Sequence, residues 1–352
     1  MHVLVIGASG FIGTKLTNRL AAEGALGDTP ITHVTLADVI PPTMPLEDVP
    51  FGIDTIKFDI TDPASIAEVL SGKPDCIFHL AAVVSGDAEK NFDLGYSVNC
   101  EGTKLLLEAI RADANYTPRL VFTSSLAVFG PPLPAVIPDS QACTPKSSYG
   151  TQKAMCELLV EDYTRKGFLD GISIRFPTIT VRPGAPNKAA SSFISGIIRE
   201  PVANMPAVCP VSLDTRCAVA SPKASVGFLI RAATLTANEV GDGPRTLNMP
   251  SLTVSVKEMI ASLERTTGKH ATELIKHEPD PFIMKIVNSW PQEIEAAKAK
   301  ELGFESDTSY DAIIETYIDE DLGGWKYHLP LGMTLKPVGS PKQKEKKRGA
   351  MA

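Results

Sequence analysis

The chain has 352 residues, of which 43% are hydrophobic and 21% charged, and this composition is typical of a globular protein. Its length favours either one large α/β domain with an appendage or two domains. Its formal net charge of −7 argues against a nucleic-acid partner, because such a partner needs a basic protein face. The sequence contains no apolar run of about 18 residues, so it predicts no membrane-spanning helix. The N-terminal stretch MHVLVIGASG lacks a basic leader, which predicts no secretory signal and a cytoplasmic protein.

Cysteine and histidine spacing predicts no metal site. The cysteines form no C-x-x-C pair, and no H-E-x-x-H motif is present. Unpaired cysteines of this kind indicate small buried thiols in a reducing compartment. The residues concerned are Cys76, Cys100, Cys143, Cys156, Cys209 and Cys217.

In the first half of the chain, short apolar runs alternate with stretches of helical periodicity. This alternation predicts an α/β fold with a doubly wound parallel sheet, covered by helices on both faces. The predicted helices are 11–22, 105–111 and 149–163. The predicted strands are 3–6, 31–36, 55–58, 76–80, 120–123 and 172–176.

After Phe176 prolines become frequent and the alternation is lost. We therefore expect residues 1–176 to form the cofactor-binding domain, with 215–237, including a helix at 223–234, returning to it. A smaller C-terminal α+β lobe that binds the substrate is predicted from 177–214 and 238–332. Residues 333–352 are polar and basic without an aromatic residue, which predicts a disordered tail; an interaction tail is the alternative.

A glycine-rich turn follows the first predicted strand. Gly7 permits a tight turn, Gly10 allows a phosphate to approach the backbone, and Gly13 allows close packing of helix on sheet. The turn lies between an apolar strand and an amphipathic helix, which is the context that dinucleotide binding requires. A purely structural turn is the alternative. The predicted cofactor contacts in this motif are Gly7, Ser9, Gly10, Phe11, Ile12 and Gly13.

Further cofactor contacts are predicted at the ends of the next strands. Asp38 closes the second strand, where a carboxylate accepts hydrogen bonds from the adenosine ribose hydroxyls and repels a 2′-phosphate. No arginine is near it in sequence, so NAD is favoured over NADP. Asp59 and Ile60 are placed to contact the adenine, and Leu80, Ala81 and Ala82 to lie against the middle of the cofactor. Ordinary loop or surface roles are the alternatives for these residues.

Tyr149 and Lys153 are four residues apart on a predicted helix, so they share one face. Oxidation of an alcohol needs a base, and a tyrosine with its ordinary pKa of about 10 is a weak one at neutral pH. An ammonium about 4 Å away would lower that pKa by roughly three units, to near 7. Ser125, just beyond the fifth strand, is placed to hold the substrate oxygen.

The segments GASGFIG, HLAA, TSSLAVFG and YGTQK resemble the extended short-chain dehydrogenase/reductase family over about residues 1 to 330. The resemblance implies a Rossmann-like fold, Ser125 as catalytic serine with Ser124 as second choice, Tyr149 as proton acceptor and Lys153 as the residue that binds ribose. Asn99 matches a frequent asparagine of the family, with packing as an equal alternative, and Pro177 is a further expected cofactor contact. A homodimer through the helices around Leu105 and Leu158 is also implied.

The substrate is predicted to be small. Thr178 stands where nucleotide-sugar enzymes of the family usually carry an asparagine. The region from TSSLAVFG to SGIIREP resembles members that oxidise the C2 hydroxyl of a small aldonic acid with NAD. Arg182 and Arg216 are candidates for its carboxylate, because an arginine fork binds a carboxylate bidentately; surface or structural ion pairs are the alternatives. The other predicted substrate contacts are Ser125, Tyr149, Thr178, Ser191, Ser192 and Lys188.

Other functions remain open at this point. Within the enzyme class, the alternatives are a threonine-type or uronate-type dehydrogenase and a nucleotide-sugar epimerase. In a separate class is a regulator that binds NAD without turning it over, although such sensors commonly lose the tyrosine or lysine that this chain retains.

Overall fold

The computed structural model describes residues 1–42, 49–184, 190–241 and 243–323. The strands are β1 (His2–Ile6), β2 (Ala25–Leu26), β3 (Thr29–Pro30), β4 (His33–Asp38), β5 (Gly52–Lys57), β6 (Cys76–His79), β7 (Arg119–Ser125), β8 (Asp170–Phe176), β9 (Thr178–Ile179), β10 (Ala207–Cys209), β11 (Arg216–Ala220), β12 (Thr246–Asn248), β13 (Leu252–Ser255) and β14 (Ile275–His277). The α-helices are α1 (Phe11–Glu23), α2 (Pro63–Leu70), α3 (Ser85–Lys90), α4 (Phe92–Gly95), α5 (Thr103–Arg111), α6 (Ser148–Arg165), α7 (Ser192–Val202), α8 (Pro222–Thr234), α9 (Ala237–Val240), α10 (Val256–Thr267), α11 (Lys269–Thr272), α12 (Pro281–Val287), α13 (Ala297–Glu301) and α14 (Tyr310–Asp321). A π-helical segment, Tyr96–Gly102, precedes α5, and a short 3-10 turn, Leu126–Val128, follows β7.

A parallel sheet of seven strands forms the centre of the molecule, in the order β12-β8-β7-β6-β1-β4-β5. The chain builds outwards from β1 to β5, then crosses back and builds the other half from β6. The strand order therefore reverses between β1 and β6, and ligands of doubly wound sheets bind at such a switch point. The predicted fold class is confirmed.

Alternation along β1 explains why both faces of this sheet are covered. Val3 and Val5 pack in one core with Leu16 and Leu20 of α1. Leu4 and its neighbour Ile6 point the other way, into a core formed with α2, α5 and α6. Because both faces are buried, the strand is a continuous apolar run and not an alternating one.

A second core lies in the C-terminal half of the chain. Strands β9, β11 and β13 form a small sheet, and α7, α10 and α14 contribute the apolar side chains of this core. Ile197, Val219, Leu263 and Ile314 are fully buried in it. In the described part of the chain, no α-helix has both the length and the apolar character needed to cross a membrane.

The proposed division into domains remains a prediction, and two features of the structure bear on its boundaries. Within the 238–332 range assigned to the second lobe, β12 pairs with Ser173–Arg175 of β8 and so extends the main sheet. Ile294 and Phe304 also belong to the main core. This pairing could not be predicted, because a strand of three residues shows too little hydrophobic periodicity to identify a partner strand about seventy positions earlier. The predicted tail, 333–352, lies outside the described residues.

Candidate active site

A large cleft, about 1880 Å³ in volume, runs from the glycine-rich turn to the small sheet of the second core. Nearly all the residues predicted from the sequence line it. Among the described residues, the predicted contacts Ser9 and Asn99 do not. Those that do are Gly7, Gly10, Phe11, Ile12, Gly13, Asp38, Asp59, Ile60, Leu80, Ala81, Ala82, Ser125, Tyr149, Lys153, Pro177, Thr178, Arg182, Ser191, Ser192 and Arg216.

The glycine turn leaves no room for side chains. A Cβ at Gly13 would lie 2.2 Å from the carbonyl oxygen of Gly7, and one at Gly7 would lie 2.6 Å from the nitrogen of Ala81. Gly7 also has a φ of +92°, which favours glycine. Gly10 is the N-cap of α1 and offers no capping side chain, so the helix N-terminus with its partial positive charge faces the cleft. This cradle fits a pyrophosphate.

Asp38 is oriented by backbone groups at the end of β4. One carboxylate oxygen accepts a hydrogen bond from the N–H of Ser9 at 3.0 Å, and the other from the N–H of Ile40 at 3.3 Å. Each oxygen keeps a lone pair for a ribose hydroxyl. The hydroxyl of Ser9 donates to the carbonyl of Ile40 at 2.7 Å. Ser9 therefore holds the Asp38 loop.

Asn99 also supports the site from behind. It lies in the π-helical segment and is buried, and its side chain exchanges two hydrogen bonds with the backbone of Val83, at 2.8 and 3.0 Å. It donates a third, at 2.7 Å, to Gln152 of α6. These contacts fix the segment after β6 that lines the cleft. Of the two interpretations of Asn99, a packing role or a mechanistic role, these hydrogen bonds favour the packing role.

Ser125, Tyr149 and Lys153 converge at the end of β7. Ser125 is the last residue of that strand, and its hydroxyl is hydrogen-bonded to the side chain of Tyr149. The ammonium of Lys153 lies 5.7 Å from the centre of the Tyr149 ring and donates to the carbonyl of Thr123 at 2.7 Å. Both Tyr149 and Lys153 come from the first turns of α6, which begins after the capping residue Ser147.

The protonation of this set differs from the prediction. Burial raises the pKa of Tyr149 to about 12, and the hydrogen bond with Ser125 opposes that rise. Burial also lowers the pKa of Lys153 to about 8. Burial therefore works against the predicted phenol pKa near 7. That prediction considers the attraction between phenolate and ammonium and omits the cost of removing both groups from water.

Hydrogen bonding separates the two candidate serines. The hydroxyl of Ser124 donates to the carboxylate of Glu157, whereas Ser125 is bonded to Tyr149. The hydroxyl of Ser124 is therefore already engaged by Glu157, which supports the choice of Ser125. Glu157 itself was missed, although a signal was present: it continues the four-residue spacing of Tyr149 and Lys153 along the same helix face.

The two candidate arginines differ in their partners. Arg216 forms an ion pair with Glu293 at 3.4 Å, and its side chain is half exposed. No carboxylate of a described residue lies within ion-pair distance of Arg182. The backbone of Arg182 is fixed instead: its N–H donates to the hydroxyl of Ser195 at 3.1 Å, and its carbonyl accepts from Arg199 at 2.9 Å. Its pKa is lowered by burial and by the charge of Arg199.

The remaining candidates lie nearby. Thr178 is in β9, and Ser191 immediately precedes α7, without a capping hydrogen bond from its side chain. Lys188 lies outside the described residues. Arg199, Lys285 and Trp290 also line the cleft, and sequence reasoning missed them because no motif marks them. Within the described ranges, no three His, Cys, Asp or Glu side chains are grouped to hold a metal ion.

The chain matches known proteins along most of its length. Residues 3–212 match the model of the NAD dependent epimerase/dehydratase family. The chain is 42% identical to D-erythronate dehydrogenase of Cupriavidus necator, covering 91% of this chain and 98% of that protein. It is 43% identical to D-erythronate dehydrogenase of Haemophilus influenzae, covering 92% and 100%.

One solved structure also resembles it over nearly the whole length. This is the nucleoside-diphosphate-sugar epimerase from Agrobacterium tumefaciens, with a TM-score of 0.90 and 47% identity over 93% of this chain and 96% of that one. The family model, the long alignments and the site geometry agree with the resemblance noted in the sequence. The chain belongs to the NAD dependent epimerase/dehydratase family.

Proposed function

We propose that the protein oxidises the C2 hydroxyl of D-erythronate, giving 2-dehydro-D-erythronate, with NAD as the acceptor. The observation that carries this proposal is the identity of 42–43% to two D-erythronate dehydrogenases over more than nine-tenths of the chain. The predicted class, an NAD-dependent oxidoreductase, agrees with the family and with both relatives.

The residues of the glycine turn fit the cofactor. The N-terminus of α1 would hold the pyrophosphate and Asp38 the adenosine ribose, for the reasons of geometry given above. NAD supplies an oxidised, positively charged nicotinamide that accepts the hydride from C2. Lys153 is placed to bind the nicotinamide ribose.

Tyr149 is assigned as the base. Ser125, hydrogen-bonded to its phenol, would hold the substrate hydroxyl between the two side chains, and the phenolate would take the hydroxyl proton. Burial raises the phenol pKa to about 12, which favours the protonated phenol at neutral pH. Proton transfer therefore needs the positive charges that surround the phenol in the complete complex.

Arg182 is our first choice for the substrate carboxylate. Its guanidinium has no carboxylate partner among the described residues, and its backbone is held by Ser195 and Arg199. Ser191, at the N-terminus of α7, adds the partial positive charge of a helix end. Arg216 is the second choice because Glu293 already neutralises it in part. Thr178 would serve a substrate hydroxyl.

An epimerase acting on a nucleotide sugar is the second candidate, favoured by the description of the solved Agrobacterium protein. A panel of aldonates and nucleotide sugars, followed by NADH absorbance and by product analysis, separates the two. Net NADH formation from D-erythronate supports the dehydrogenase. Interconversion of a nucleotide sugar without net NADH would refute it, and tight NAD binding with no turnover of any compound would point to a sensor.

The variant Tyr149→Phe belongs in the same experiment. It should lose turnover by roughly a hundredfold or more, since a positioned acid–base group contributes about that much. Its affinity for NAD should change little, because the phenol is not needed for the pyrophosphate or adenosine contacts. Retained turnover would remove Tyr149 from the mechanism.

We also propose a homodimer and a cytoplasmic location. Leu158 and Met155, both on α6, are 72% and 42% exposed, and pairing through that helix would cover these apolar side chains. The mass in solution of the wild type and of Leu158→Glu tests the dimer: a dimeric wild type and a monomeric variant are expected. A monomeric wild type would contradict it.

A further inference from the structure

A buried ion pair lies directly behind the catalytic residues, and neither partner lines the cleft. Glu157 of α6 and Arg175 of β8 are 3% and 8% exposed. Two guanidinium nitrogens of Arg175 donate to the two carboxylate oxygens of Glu157, at 2.9 and 2.8 Å. Burying two charges is expensive even when they are paired, so a pair at this place calls for a role beyond stability.

Arg175 is held from other elements, and this fixes Glu157. Its third nitrogen donates to the side-chain oxygen of Asn248, on β12, at 3.1 Å. The guanidinium also contacts the sulfur of Cys143 at 3.2 Å and stacks 4.9 Å from the ring centre of Phe129. The carboxylate of Glu157 therefore has a single well-determined position.

From that position Glu157 reaches the catalytic set by two routes. The hydroxyl of Ser124 donates to its carboxylate, and Ser124 immediately precedes Ser125 at the end of β7. Lys153 lies one turn earlier on α6, and the negative charge of Glu157 favours its protonated form.

Other ionisable groups also act on Lys153. Cys156 favours the ammonium more strongly than Glu157 does, and a hydrogen bond with Cys100 lowers the pKa of Cys156, whereas the same hydrogen bond and burial raise the pKa of Cys100. His79 is buried with a pKa lowered to about 3, so it is neutral. Burial raises the pKa of Tyr149 to about 12, which favours the uncharged phenol. Glu157 is thus the carboxylate among the groups that act on Lys153.

We propose, on the basis of the dehydrogenase function proposed above, that Glu157, held by Arg175, is a positioning residue for the reaction. Through Ser124 it fixes the strand end that carries Ser125, and its negative charge acts on Lys153, one turn earlier on α6. It touches neither substrate nor cofactor.

Two variants separate charge from geometry. Glu157→Gln removes the negative charge but keeps an acceptor for Ser124. It should lower kcat at neutral pH about tenfold and move the alkaline limb of the kcat/KM profile down by roughly one to two pH units. Arg175→Lys keeps the positive charge but loses the bidentate fork, so kcat should fall several-fold while the alkaline limb stays in place.

Glu161→Gln is the matched control, because it is the same substitution one turn further along α6, where the carboxylate has no ion pair with any described residue. It should match the wild type in kcat and in pH profile. If Glu157→Gln gives the wild-type profile, or only a lower melting temperature with kcat intact, the pair is structural and the proposal fails. If Glu157→Gln does not fold, Ser124→Ala decides: an unchanged kcat overturns the positioning route.

A binding measurement keeps this test independent of the substrate. NADH affinity, titrated by fluorescence across the alkaline range, should fall as Lys153 loses its proton, and should fall at a lower pH in Glu157→Gln. An unchanged midpoint in that variant refutes the charge route even if no aldonate is turned over. Absence of aldonate oxidation by the wild type, with the midpoint shifted as expected, refutes only the proposed substrate.

Discussion

Asp38 offers a direct test of the cofactor assignment. Its two oxygens each accept one backbone N–H, from Ser9 and from Ile40. In Asp38→Asn the side chain has one acceptor oxygen and one NH₂ group. One of the two backbone N–H groups must then face a donor, or the asparagine side chain must rotate away from the loop. Either change removes at least one charge-assisted hydrogen bond to the ribose, which is worth about 1.5–3 kcal/mol. At 1.4 kcal/mol for each factor of ten, the Kd for NADH should rise roughly 10- to 100-fold.

The assay for this prediction is NADH fluorescence titration, with NADPH in parallel. Loss of the carboxylate also removes its repulsion of a 2′-phosphate, so the preference for NADH over NADPH should narrow. Asp54→Asn is a suitable control, because Asp54 lies on the neighbouring strand β5, pairs with His33 and does not line the cleft. An unchanged Kd in Asp38→Asn would show that Asp38 does not bind the ribose.

Three further predictions follow from single features. Gly13→Ala should lower both the melting temperature and the NADH affinity, because its Cβ would meet the carbonyl of Gly7. The control Gly227→Ala, in an open position on α8, should leave the melting temperature unchanged or raise it. Arg182→Met should raise the KM for D-erythronate at least tenfold, and Arg216→Met should raise it less. If steady-state kinetics show the larger increase for Arg216→Met, Arg216 and not Arg182 binds the substrate carboxylate. The pKa of Lys153 is lowered to about 8 in the folded protein, so the unfolded chain binds the extra proton above that pH. The free energy of unfolding of the wild type, relative to that of Lys153→Met, should therefore rise from about pH 8 to pH 10, as measured by urea unfolding. If the two proteins show the same dependence of this free energy on pH, the pKa of Lys153 is not lowered.

Local pattern was enough to predict most of the main sheet and the cofactor side of the site. The glycine turn and the acidic strand end lie close to each other in sequence, and parallel strands bring their carboxyl ends to one edge without further information. Tyr149 and Lys153 were predictable for a similar reason, since they share one helix face.

Features that depend on distant partners could not be predicted in this way. Strand β12 joins the main sheet only because the chain returns to it between two segments that form the second core. The difference between Arg182 and Arg216 rests on Glu293, which is 77 residues away from Arg216. The pKa of Tyr149 depends on burial, which spacing alone does not give.

Burial has a second effect at this site that reconciles the raised phenol pKa with a role as base. The same low-dielectric surroundings that disfavour phenolate make every nearby charge act more strongly on it. Lys153 and the Ser125 hydrogen bond are already in place, and their effect grows when the cleft is filled and water is excluded. Bound NAD would add the positive charge of its nicotinamide beside the phenol, so we expect Tyr149 to act as a base once the cofactor is bound, which predicts that cofactor binds before substrate. Product-inhibition patterns test this order: NADH should compete with NAD, and the 2-oxo acid should not.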